Sequence, residues 1–285
     1  MDIDRDIGLE RDDRERQKDV PTPERDREND RENRIRREVR SGRQVYSISP
    51  DERDAMYDMG RFRVLKSEDL SALKYCGHQS LMDQDTRSLM AEGLIQRKTE
   101  WTGKSGEVNT FWTLTKEGKR FLQKQYPVPK GQALYTGFVK PKELSHDAAI
   151  YPMFHREAVL IAKDGGRISR VVLDYELKKK AYSPLAKAKT LGDAEYARRH
   201  AEIAREFGLK VVKGHIVLPD LRIEYVDRHG VAAHVDLEVA TQNYHGSHAA
   251  GKAAAGFKIY ASSETAARLS RALEEREITA DILSL

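Results

Sequence analysis

Between residues 231 and 240 apolar and polar side chains alternate. Val231, Ala233, Val235, Leu237 and Val239 share one face of a strand, and His234, Asp236 and Glu238 share the other. The turn-forming run Asp227-Arg228-His229-Gly230 precedes it, and an apolar-rich stretch at 221–226 precedes the turn, so the pattern predicts a β-hairpin. Helical spacing appears around it. A helix begins at Ser145, passes Pro152, where a kink or break is expected, and stops at Gly165-Gly166. Residues 168–173 read as a strand, and Asp174 caps a charged helix over 175–180. Asp193 caps a helix over 194–207, with Tyr196, Ile203 and Phe207 on one face and Gly208 at its end. A small-residue helix at 248–255, a strand at 257–260 and a helix at 264–275 complete this half.

The first half reads differently. Pro50-Asp51-Glu52 opens a helix to residue 59, Ser67 caps 68–75, and Ser80 with Asp83 forms a variant capping box for a helix ending before Gly93. Leu94-Ile95 and Phe111, Trp112 and Leu114 mark two strands around a glycine-rich tip at 102–107, and Thr115 caps a helix over 116–123. Helix, helix, turn, helix, β-hairpin, helix is the order of a winged helix-turn-helix. The expected fold is therefore α+β or α/β: a winged helix at 46–123, a Pro- and Gly-bearing linker at 124–144, and an α/β domain at 145–285.

Composition adds a tail and an address. Charged residues make up 34% of the 285 positions, and residues 1–45 are so charged and so poor in apolar groups that disorder is expected there. Its Arg-rich end, 31–43, reads as a solvated tether or a nucleic-acid arm. One cysteine, Cys76, excludes an internal disulfide and a Cys-based zinc cluster. Absence of a long apolar run and a charged N-terminus point to a cytoplasmic protein without membrane contact. The net charge of +4 is uneven, with basic residues gathered at 31–43 and 93–130.

Folding the hairpin about residue 228 sets Asp220 opposite Asp236; folding it about 229 sets Asp220 opposite Glu238. Adjacent carboxylates repel unless a cation or proton intervenes, and hard oxygen ligands suit Mg²⁺ or Mn²⁺. The polar loop 243–248, with His245 and His248 before a helix start, forms a second candidate surface for phosphate contact. His234, His245 and His248 as a metal trio is the weaker alternative.

Pro219-Asp220 and Glu238, with Asp236 as the alternative acid, resemble the PD-(D/E)xK nuclease superfamily. Ala240 stands where that motif places lysine. The resemblance implies Lys252 on the following helix as its replacement, with Lys258 as a further candidate, Glu176 as an additional acid, and Asp220 with Glu238 holding Mg²⁺ in an active enzyme. With the winged-helix segment, Ser145-His146-Asp147, Asp174-Tyr175-Glu176-Leu177-Lys178 and Lys258-Ile259-Tyr260, the chain looks like the replication-relaxation family of plasmids and integrative conjugative elements over roughly 46–275. That implies an accessory role in replication or mobilisation, on double-stranded DNA and beside a relaxase or replication protein. An active endonuclease and a repressor of the element are the alternatives, and the oligomeric state, homodimer included, is left open. The presumed recognition helix carries Arg87 among acids, so DNA contact is expected mainly from Arg97, Lys98, Lys104, Lys119 and Arg120 on and beside the wing.

Overall fold

The computed structural model describes residues 33–102, 107–242, 244–275, 278 and 280–285. Most of the expected tail (1–32) and the tip 103–106 with Lys104 lie outside these residues. The chain divides into two units, one ending at Arg53 and one running from Asp54 to Leu285. It is a mixed α+β protein.

In the first unit, β1 (Arg37–Ser41) and β2 (Gln44–Ile48) form an antiparallel hairpin around Gly42, which has φ of +68°. Disorder was expected over this stretch. Tyr46 and Ile48 alternate onto one buried face, with Val39 paired to Tyr46, and allow a hairpin that overall composition conceals. Helix α1 (Pro50–Phe62) starts on a capping box: Ser49 N donates to Glu52 at 2.8 Å and Glu52 N donates to Ser49 Oγ at 3.1 Å.

The second unit holds two larger sheets. β3 (Leu65–Lys66), α2 (Ser67–Lys74), α3 (Gln79–Ala91), β4 (Ile95–Thr102), β5 (Glu107–Leu114) and α4 (Lys116–Gln125) follow α1, with strand order β3-β5-β4. Two expected caps are displaced. Positive φ at Cys76 and Gly77 starts α3 at Gln79, so Ser80 lies inside the helix. Ser67 Oγ instead accepts the Trp112 indole N–H at 2.7 Å. Thr115 does cap α4, accepting from Gly118 N at 3.0 Å.

Gly118 has no room for a side chain, since a Cβ there would lie 2.1 Å from the Leu94 carbonyl oxygen and 2.7 Å from Leu114. Gly118→Ala should therefore destabilise the fold by roughly 2 kcal/mol despite alanine's better helix propensity, read as a lowered midpoint in thermal denaturation followed by circular dichroism.

The other large sheet is built from α5 (Leu144–Lys163), β6 (Arg167–Leu173), α6 (Asp174–Lys189), α7 (Asp193–Glu206), the small β7–β8 hairpin (Val211–Val212, His215–Ile216), β9 (Leu221–Val226), β10 (Ala232–Ala240), α8 (Gly246–Ala254), β11 (Lys258–Ala261), α9 (Ser263–Glu274) and β12 (Ile282–Ser284). Strand order is β12-β11-β10-β9-β6. β9 runs antiparallel to both of its neighbours, β6 and β10, whereas β10, β11 and β12 run parallel, with α8 as the first crossover. α5 passes Pro152 without interruption, and α6 runs well beyond the expected residue 180.

Residues 124–144 do not form a free linker. Leu134 and Val139 are buried, and Gln132 completes the edge of β6, donating from Nε2 to Val171 O and accepting from Val171 N, both at 2.9 Å. Within the second unit, the part of α1 beyond Arg53 meets α5: Tyr151 OH donates to Asp58 at 3.1 Å, and Phe62 packs on Tyr151 and Phe154.

Candidate functional site

Asp227 sets the hairpin's turn by accepting from His229 N at 2.9 Å and Val231 N at 2.8 Å. The resulting register pairs Leu221 with Leu237, so Asp220 comes opposite Glu238, the outcome of folding about residue 229. Asp236 is directed elsewhere. Its carboxylate takes both branches of the buried Arg222 guanidinium at 2.7 and 2.8 Å, which makes it a structural ion pair.

Lys252, one strand-to-helix connection later, donates to Glu238 Oε2 at 2.7 Å and to Leu218 O at 2.6 Å. Tyr244 OH donates to Glu238 Oε1 at 2.8 Å. Asp220 accepts from Val239 N at 2.9 Å and meets His146 Nε2 at 3.2 Å; the other ring nitrogen of His146 lies 3.3 Å from Asp147. Tyr175 OH donates to Asp147, and Asp174 N donates to Asp220 O at 3.1 Å. Five elements thus meet at one end of the sheet.

Lys258, the further lysine candidate, is excluded by register. It pairs with Leu237 and so shares that residue's face, opposite Glu238, where it holds buried Glu157 at 2.7 Å. Glu176 does not join the cluster: Arg170 and Lys180 take its carboxylate. The acid at this end of α6 is Asp174, whose pKa is raised by burial, with the charges of Asp220 and Asp147 adding to it against Lys178. In the sequence His146, Asp147 and Asp174 enter only through the family resemblance, and Tyr244 only as part of the polar loop 243–248, none of them with a role at this cluster. Adjacent His146 and Asp147 at a helix start were the available signal.

Electrostatics separate the two central acids. Burial, and secondarily the Asp220 charge, push Glu238 up to about 7 against the pull of Lys252 and Tyr244. Burial would raise Asp220 too, but His146, Lys252 and the Val239 N–H outweigh it and hold its carboxyl below the usual range. Burial opposes charge on His146, yet its bonds to Asp147 and Asp220 overcome this and push its pKa up to about 10.

Both raised groups bind a proton more tightly folded than unfolded, so each makes stability fall as pH rises: Glu238 between its ordinary value and about 7, His146 between about 6.5 and 10. Glu238→Gln should remove the first fall and His146→Gln the second, in melting temperatures measured from pH 4 to 10.

The cluster is well covered. Glu238 is 4% exposed, while the His146 and Lys252 side chains keep 33% and 21%. An approaching anion therefore meets the two cations first. A cavity of about 660 Å³ lies elsewhere, between α2, β5 and α5.

Among the described residues no three His, Cys, Asp or Glu side chains form a ready-made metal cage. Mg²⁺ does not need one: it keeps several waters and takes one or two carboxylates plus substrate phosphate. Asp220 and Glu238, brought opposite each other just beyond the last ladder pair and mutually repelling, fit that requirement.

The expected DNA contacts lie on three elements. Arg87 is exposed on α3. Arg97 is exposed on β4, where Lys98 pairs with Glu100 at 2.9 Å, and Lys119 and Arg120 lie on α4, the latter paired with Glu117. Trp101, 76% exposed on β4, was missed although an indole in a solvent-facing strand is its own signal. His245 and His248 are exposed beside Tyr244, so the second candidate surface borders the cluster; Asn243 of that loop lies outside the described residues. The chain matches no protein-family model and no curated protein sequence. Among the described residues no helix is long and apolar enough to cross a membrane.

Proposed function

We propose that the chain is a DNA-binding protein with a divalent-cation-dependent phosphodiesterase site of the PD-(D/E)xK type. The observation that carries this is the juxtaposition of Asp220, one residue before β9, with Glu238 on β10, with the Lys252 ammonium on Glu238. The order α5, β6, β9, β10, α8, β11, with three antiparallel strands and a parallel fourth, supports a restriction-endonuclease-like domain. The order α1, β3, α2, α3, β4, β5, α4 supports a winged helix, whose strands carry Arg97, Lys98 and exposed Trp101 for backbone-dominated DNA contact.

Asp220 and Glu238 would hold Mg²⁺, which when bound lowers the pKa of a water and polarises the phosphoryl group. The protein's own groups do the rest. Val239 N and His146 orient Asp220, and Tyr244 orients Glu238. Lys252 takes the role of the lysine absent at Ala240, bringing positive charge to the phosphate. Ionised Glu238 is required, so cleavage should rise from pH 6 to 8.

A second reading, binding without cleavage, is favoured by one observation: both acids are already neutralised by His146 and Lys252. Supercoiled plasmid incubated with Mg²⁺, Mn²⁺ or EDTA tests between them. Open circles with cation and none with EDTA support the enzyme; retarded but intact plasmid under both ions supports the binder. Either activity would serve replication or mobilisation of a genetic element beside a relaxase or replication protein, the role that the sequence resemblance implies.

A further inference from the structure

We infer that α6 is a second DNA-binding surface, a track that holds the phosphate backbone of a duplex as it enters the Asp220–Glu238 site. This rests on the reading of the chain as a DNA-binding protein, and it concerns a surface separate from the wing. The helix carries Lys178, Lys179, Lys180, Lys187 and Lys189, all exposed, with acids only at Asp174 and Glu176 in its first turn. Its buried stripe of Leu177, Ala181, Leu185 and Ala188 turns the lysines to solvent. Tyr182, 50% exposed, stands among them and offers a ring to sugar or base.

A charged helix is often merely solvated, and the neighbouring α7 is such a case. There Arg198 bonds Glu195 at 2.6 Å and also Glu202, and Arg199 bonds Glu202 at 3.0 Å, so cation and anion cancel. On α6 only the turn nearest the cluster is paired in this way, Lys178 with Asp174 and Lys180 with Glu176. The rest of its exposed face is cationic.

The position of the helix gives this charge a purpose. Asp174 N bonds Asp220 O, and Lys178 pairs with Asp174, so the basic face begins at the cluster itself. From Lys178 to Lys189 the helix advances about 16 Å at ~1.5 Å per residue, roughly five nucleotides of duplex at ~3.4 Å each.

The test is fluorescence anisotropy of a labelled duplex from 0.05 to 0.4 M salt. It compares wild type, a triple variant K179Q/K187Q/K189Q, the charge-preserving K179R/K187R/K189R, and a control K140Q/K142Q/K163Q that removes equal charge elsewhere. The slope of log affinity against log salt should become shallower by about 2.7 in the α6 glutamine variant, about 0.9 per lost phosphate contact. Affinity at 0.15 M should fall on the order of a hundredfold, with the arginine variant and the control close to wild type. A steep wild-type slope shared by the α6 glutamine variant overturns the track alone, as does an equal loss in the control. Absent or salt-insensitive binding by wild type overturns the DNA reading together with it. The replaced side chains are exposed, and an unchanged thermal midpoint shows that each variant is folded.

Discussion

Asp220→Asn should lower plasmid nicking in Mg²⁺ by roughly a hundredfold or more while leaving affinity for duplex DNA equal or slightly higher. The two readouts move apart because they depend on different groups. Cleavage needs two ionised carboxylates side by side, and Asp220 is the one held ionised, below the usual carboxylate range. DNA affinity depends on lysines and arginines, and loss of an anion beside Lys252 and His146 can only favour an approaching phosphate. Asparagine can still accept the Val239 N–H, so the strand register should survive. Without the Asp220 charge, Glu238 should also ionise at lower pH, visible as a downward shift of its carboxyl titration in carbon-detected NMR. Equal nicking by wild type and Asp220→Asn would remove the site from the chemistry.

The largest effect on stability should come from Arg222→Ala. Arg222 and Asp236 side chains are 6% and 9% exposed and share two hydrogen bonds; Arg222 also donates to Phe207 O. Removal of the cation leaves a buried carboxylate uncompensated, at a penalty of about 3–5 kcal/mol. At roughly 2–4 °C per kcal/mol for a unit of this size, the melting midpoint should drop by on the order of 10 °C. The double variant Arg222→Met with Asp236→Leu should recover most of the loss, because it removes charge and partner together. Failure of the double variant to recover would mean that the Phe207 carbonyl contact, rather than the ion pair, dominates.

The hairpin was legible because its information is local. Period-two alternation and an Asp-led turn at 227–230 define the hairpin, but the sequence leaves the register open between folding about 228 and about 229; the Asp227 turn bonds and the observed ladder select the second. Lys252 came from the nuclease resemblance, which implies that the lysine absent at Ala240 moves to the following helix. His146 was not legible, since its partnership with Asp220 depends on how α5 crosses the sheet, a relation between residues far apart in the chain. Glu176 failed for a helical reason: residues two apart on a helix face different ways, and Asp174 is the one turned toward Asp220. The short strands β3, β7, β8 and β12 carry too few residues for alternation to appear. The packed course of 124–144 was hidden because its proline and glycine content resembles a linker, while Gln132, Leu134 and Val139 bury against what surrounds them.

Calorimetric titration of Mg²⁺ at pH 8, where Glu238 is ionised, addresses the paired carboxylates directly. Wild type should bind one ion at this pair, and both Asp220→Asn and Glu238→Gln should lose that event while remaining folded. Identical binding in all three proteins, or none in wild type with DNA present, would contradict a cation held jointly by Asp220 and Glu238.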